Sequence, residues 1–167
     1  MVLKTIKSLW KLPKKGVKRV TSVNTEATST SDYFDQDPLL VRIGGSKTLE
    51  TLVATFLELV EADVTLIGLF HGVHPEVLSL HHKRFLSISL NKIPEYSSMR
   101  TMINSHHRHL FAQGLDESHF DLYIQHLAAS MSTCNLSQEH IEEALAIVAP
   151  LRKIFEGGAK EAARVDS

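Results

Sequence analysis

Cysteine is nearly missing from this chain. A single residue, Cys134, has no partner for an internal disulfide and excludes cysteine-rich zinc and iron–sulfur sites. No run of 18 apolar residues occurs, so no membrane-spanning helix is expected. An excess of one charge is missing too: 18 Lys and Arg against 19 Asp and Glu leave a formal net charge of −1, which argues against nucleic-acid binding by the chain as a whole. Alternating strand patterns and internal repeats are absent. So are the zincin spacing and the strained Gly-x-Ser-x-Gly turn of serine hydrolases. Lys47-Thr48 after Gly44-Gly45-Ser46 looks like the tail of a phosphate loop. However, Ser46 stands where a glycine must precede the lysine, and no strand leads in. With 43% hydrophobic residues in 167, one domain with a real core is expected. The unusual abundance is histidine: ten residues, all after position 70.

The chain divides near residue 38. In residues 1–37, Lys4, Lys7, Lys11, Lys14, Lys15, Lys18 and Arg19 precede the first acid, Glu26. Leu3, Ile6, Leu9 and Trp10 recur at helical spacing, and a Ser/Thr-rich stretch runs from Thr21 to Ser31. Three readings of this extension compete: a solvated disordered tail, a targeting segment, and an anchor on a membrane surface through residues 1–20. The expected compartment is cytoplasmic, or an organelle if residues 1–37 are a transit segment. Residues 38–157 are expected to form the domain and residues 158–167 a C-terminal tail.

From Asp37 onward the pattern is all-α. A short helix over Pro38–Ile43 stops at Gly44-Gly45, and Ser46 offers an N-cap. Leu49, Leu52, Val53, Phe56 and Val60 make one helical stripe. Pro75 suits the first turn of a helix running from about Glu76 to Leu90. A looser stretch, Asn91–Ser98, leads to a shorter helix carrying Met99, Met102 and Ile103. Asp116 and Ser137 are expected N-caps of the last two helices, with Leu115 stapling to Phe120 and Leu136 to Ile141. Phe120, Tyr123, Ile124, Leu127 and Met131 form the stripe of the first of these. Pro150 is expected to bend the final helix and Gly157-Gly158 to end it.

Two adjacent histidine pairs, His81-His82 and His106-His107, stand 25 residues apart on apolar helix faces. Leu78, His81, His82 and Phe85 fall within about 100° of arc. Met99, Met102, Ile103, His106 and Leu110 share a stripe, with His106 near its centre and His107 toward its edge. A buried imidazole needs a hydrogen-bond partner or a metal. No carboxylate shares the His106 stripe within a turn, which leaves a backbone carbonyl, a water or iron. One imidazole on each of two facing helices suits a flat iron porphyrin gripped from both sides. The competing reading is a packed core with inert histidines.

These residues resemble a known family. Leu40-Val41-Arg42-Ile43-Gly44-Gly45 is similar to the opening of truncated haemoglobins, and Phe56 falls where that family keeps an aromatic in its first long helix. Leu69-Phe70 resembles the Phe-Phe before the distal helix, and Ser79-Leu80-His81-His82-Lys83-Arg84-Phe85-Leu86 resembles that helix itself. Arg100-Thr101-Met102-Ile103-Asn104-Ser105-His106 is similar to the family's Arg-x-Met-x-x-x-His, and Gly114-Leu115-Asp116-Glu117-Ser118-His119-Phe120-Asp121 to the start of its next helix. The likeness runs from about Leu39 to Phe155 and is nearest the group 1 cyanobacterial and algal members with two axial histidines.

The resemblance implies a two-over-two helical sandwich around haem b. It implies His106 as the proximal iron ligand, with His107 as the fallback. It implies His81 as the distal ligand, with His82 as the alternative. Phe56, Leu57, Phe70, Leu78, His82, Phe85 and Met102 would line the cofactor. Leu57 departs from the family, because many members carry a Tyr there whose hydroxyl holds bound oxygen. His82 stands where Gln is frequent. The expected function is binding of diatomic ligands, oxygen or nitric oxide, at a bis-histidyl iron, with a redox or nitric oxide-scavenging role served by a reductase. Nitric oxide dioxygenase activity is included in that expectation. The alternatives are a haem-based sensor or electron-transfer module and a haem-free helical interaction domain.

Overall fold

The computed structural model describes residues 37–91 and 95–165. The basic and Ser/Thr-rich features of the first 36 residues, and Pro94, lie outside the described residues. Eight α-helices follow in order: α1 (Leu39–Arg42), α2 (Gly45–Ala62), α3 (Val64–Ile67), α4 (Pro75–Asn91), α5 (Tyr96–Ala112), α6 (Glu117–Thr133), α7 (Gln138–Val148) and α8 (Arg152–Val165). Short 3-10 turns over Gly68–Phe70 and Ala149–Leu151 complete the described elements, none of which is a strand.

The stripe read along α2 is the centre of the core. Leu52, Val53, Phe56 and Val60 are fully or almost fully buried. Burying each such side chain stabilises the fold by about 1.5–3 kcal/mol. α2 packs against both α4 and α6, and α6 packs on α7 and α8. The result is the two-over-two layering that the resemblance implies. Two polar ties hold the layers in register. Arg152 of α8 donates to both carboxylate oxygens of Asp121 on α6 at 2.8 and 2.9 Å, a bidentate geometry. His126 Nε2 of α6 lies 2.7 Å from Asp63 Oδ2 at the α2–α3 corner, while Asp63 Oδ1 caps α3 by accepting from Thr65 N at 2.9 Å.

The expected caps form at Asp116 and Ser137 but not at Ser46. Asp116 caps α6, its Oδ1 accepting from the amides of Ser118 and His119, and Ser137 caps α7 through His140 N. Leu115 and Phe120 are both buried, as a staple requires. Ser46, expected as a cap, sits inside the first turn of α2 instead. The helix opens two residues earlier, with Gly44 at its cap, whose φ of +107° only glycine adopts without strain. A Cβ there would also meet Thr48 Oγ1 at 2.4 Å.

Two helix ends differ from expectation. α5 begins at Tyr96, within the stretch read as loose. The expected stop at Gly157-Gly158 is not a stop, because α8 continues through both glycines to Val165. Packing explains the residue choice there: a Cβ on Gly158 would come within 2.5 Å of the buried Phe111 ring. Glycine lets α8 approach α5 closely, and that approach anchors α5. Pro150 lies in the 3-10 turn between α7 and α8, where it bends the chain as expected. We expect Gly158→Ala to destabilise the fold by about 1–3 kcal/mol through overpacking, read as a lower thermal midpoint. An unchanged midpoint would show that Phe111 moves aside freely.

Candidate functional site

The helices bearing the histidine pairs do not rest on each other. α4 packs on α2 and α1, and α5 packs on α8. Between α4 and α5 lies a cavity of about 520 Å³, within the range of small-molecule and cofactor sites. Its wall includes Leu69, Phe70, Leu80, Phe85, Met102, Ile103 and Leu110, together with His81, His82, His106 and His107. Phe56, Leu57 and Leu78 are buried outside this wall.

Successive residues on a helix point about 100° apart, which gives the two members of each pair different surroundings. On α4, His82 follows the buried line of Leu78, Leu86 and Ser89. Its ring lies 5.2 Å from Phe56 and 6.4 Å from Phe70, centre to centre. His81 turns instead toward α5. Its ring centre is 6.3 Å from that of His106 and 5.4 Å from that of His107.

On α5 the buried line runs through Met99, Ile103, Leu110 and Phe111. Contrary to the sequence expectation, this makes His107 the more buried of the pair, while His106 is exposed. The core-facing stripe is turned by about one residue because α5 packs on α8 rather than on α4. His106 nevertheless lines the cavity, whose open side accounts for that exposure.

Three of the four rings are fixed by backbone carbonyls. His82 Nδ1 stands 2.8 Å from Leu78 O, His106 Nδ1 2.8 Å from Met102 O, and His107 Nδ1 3.0 Å from Ile103 O. A carbonyl only accepts, so each Nδ1 carries the proton and donates. In a neutral ring the lone pair is then on Nε2. This is the dressing that metal-ligating histidines carry. His81 has no ring hydrogen bond to any described residue and is held by the flanking rings alone.

These residues fit a flat iron porphyrin. Two imidazoles holding one metal ion, each bond about 2.0 Å, would place their ring centres roughly 6 Å apart. The His81 and His106 ring centres stand 6.3 Å apart, a spacing compatible with both rings holding one iron. An apolar occupant also accounts for the α4 side chains at the cavity mouth. Val77 and Leu80 are 61% and 55% exposed, yet both belong to the wall. Among the described residues no cluster of three or more His, Cys, Asp and Glu suits a bare metal ion. Sequence reasoning had counted Tyr123 only as a stripe residue of α6. Its place in the cavity wall was signalled only by a hydroxyl on an otherwise apolar face.

Burial pushes the imidazoles of His82 and His107 down to about 4. It also lowers His81, with the neighbouring His106 contributing. An unfolded histidine titrates near 6.5. Between pH 6.5 and about 4 the unfolded chain therefore binds more protons than the folded one. Stability from these groups is complete above pH 6.5 and is lost on acidification toward pH 4. We expect the thermal midpoint to fall over that window; a midpoint flat from pH 6.5 to 4.5 would contradict the neutral buried rings.

Comparison with known proteins converges on one family. Residues 39–156 match the model of the bacterial-like globins. The chain is 31% identical over 110 residues to the group 1 truncated hemoglobin GlbN of Mycolicibacterium paratuberculosis, covering 66% of this chain and 77% of that protein. It is 26% identical over 118 residues to the group 1 truncated hemoglobin of Tetrahymena thermophila, covering 71% and 93%. Among solved structures, Chlamydomonas reinhardtii THB4 superposes with a TM-score of 0.61 at 26% identity over 71% of this chain and 94% of that one. The truncated hemoglobin of Tetrahymena pyriformis in its Fe(III) form superposes with a TM-score of 0.56 at 21% identity over 72% and 98%, a likeness of fold. With the model match spanning more than half its length and the slot between α4 and α5 in place, the chain belongs to the truncated haemoglobin family of globins.

Proposed function

We propose that the cavity between α4 and α5 holds haem b, with His106 as proximal ligand and His81 as distal ligand, and that the protein binds diatomic molecules such as oxygen or nitric oxide there. The observation that carries this reading is the His81–His106 pair, facing across an apolar slot at 6.3 Å. The cofactor would supply a redox-active iron, whose ligands and surroundings tune its potential.

The side chains contribute orientation, proton placement and exclusion of water. Donation from His106 Nδ1 to the Met102 carbonyl keeps the lone pair on Nε2 and fixes the ring angle. His81 lacks such a tether, so its side chain can leave the distal position and admit a ligand at modest cost. Phe70, Phe85 and Leu80 cover the slot with apolar surface. Leu57 is buried and has no hydrogen to donate. His82 spends its one proton on the Leu78 carbonyl. Such a site favours electron transfer and redox reaction with small diatomics over oxygen storage. Nitric oxide dioxygenation fits that class, with an external reductase returning the electron.

The test is spectroscopic. The purified protein is expected to show a Soret band and, in the ferrous form without added ligand, the split visible bands of two axial nitrogens. His106→Leu is expected to lose most of the haem. His81→Leu is expected to retain it with a high-spin ferric spectrum. Loss of haem in His107→Leu but not in His106→Leu would move the proximal assignment by one residue. A high-spin spectrum in His82→Leu but not His81→Leu would move the distal one. Absence of haem uptake in the unaltered chain would overturn the reading.

A further inference from the structure

Three side-chain oxygens among the described residues are buried without a hydrogen-bond partner: Ser89 Oγ, Asn104 Oδ1 and the Tyr123 hydroxyl. Ser89 and Asn104 lie away from the cavity, whereas Tyr123 is part of its wall. A buried hydroxyl that leaves water and finds no acceptor keeps its desolvation cost uncompensated. Native proteins rarely retain such a group without a use.

The ring is firmly placed. Its centre lies 4.7 Å from that of Phe56, edge to face, and 5.8 Å from that of His82, stacked at 22°. Phe85 meets its edge at 6.3 Å and Phe120 stacks at 6.3 Å. The Tyr123 ring thus stands beside His82 in the cavity wall. Burial pushes its ionisation above the ordinary tyrosine range, so the proton stays on the oxygen.

Few other groups in the wall can donate. His82, His106 and His107 each spend an Nδ1 proton on a backbone carbonyl. The His119 ring is engaged by Asp116 at 2.7 Å. Arg84 is exposed at the mouth. His81 is the proposed ligand itself.

We propose that the Tyr123 hydroxyl is the hydrogen-bond donor to a diatomic ligand held in this cavity, filling from α6 the role that Leu57 leaves vacant on α2. This rests on the haem reading above. His82 then becomes the ring that supports Tyr123.

The test uses the haem-loaded full chain and its Tyr123→Phe variant, with oxygen and carbon monoxide as probes. Oxygen dissociation is followed by stopped flow and the C–O stretch by infrared spectroscopy. Removing the hydroxyl is expected to speed oxygen dissociation about tenfold or more, the loss of one hydrogen bond of ordinary strength, and to raise the C–O frequency. A haem-loaded Tyr123→Phe protein with the original dissociation rate and C–O band overturns the assignment. So does an acceleration in His82→Leu that Tyr123→Phe lacks. Haem content on the same samples separates the two levels: an unaltered chain without a Soret band overturns the haem reading and the donor assignment with it.

Discussion

The site depends on two helices that each pack mainly on other elements. α4 spends its apolar face on α2, and α5 spends its own on α8. Each is held from behind, so the space between them is not closed by core collapse. A slot lined with apolar side chains and imidazoles is unstable against collapse unless its walls are separately supported. The close approach of α8 to Phe111 at Gly158 is one such support, and the Arg152–Asp121 pair tying α8 to α6 is another. Cavity and scaffold are therefore one design, in which the packing behind each histidine helix keeps the rings apart.

Backbone carbonyls then decide the chemistry of the rings. A histidine in a helix can donate to the carbonyl four residues earlier, and His82, His106 and His107 all do so. That single interaction fixes the tautomer, aims Nε2 away from the backbone and removes the ring from the list of donors. The consequence reaches across the cavity. With those Nδ1 protons engaged, the proposed donor toward a ligand is a hydroxyl on α6. His81 is the member of the set without a carbonyl tether among the described residues. Division of labour among chemically identical side chains thus follows from which of them donates to the carbonyl one turn behind it.

Much of this was legible in the sequence because it is local. The α2 stripe, the caps at Asp116 and Ser137 and the start of α4 at Pro75 follow from spacing and side-chain chemistry alone. The opposition of His81 and His106 followed from two apolar helix faces plus the family resemblance. What was not legible depends on partners distant in sequence. The buried line of α5 is set by α8, which moved His107 inward and His106 toward solvent. Gly158 reads as a helix stop until Phe111 is known to lie against it. Ser46 reads as a cap until the turn at Gly44 is seen to start the helix earlier. Tyr123 reads as an ordinary stripe residue until its hydroxyl is found buried without a partner beside a cavity.

The proposed site is a planar iron cofactor between α4 and α5, bonded to the α5 imidazole. The most direct measurement is a crystal structure of the iron-loaded chain. It is predicted to show porphyrin density filling the slot, His106 Nε2 bonded to the metal on one face and His81 on the other. A cofactor bonded elsewhere, or α4 and α5 closed against each other with both rings turned to solvent, would contradict it.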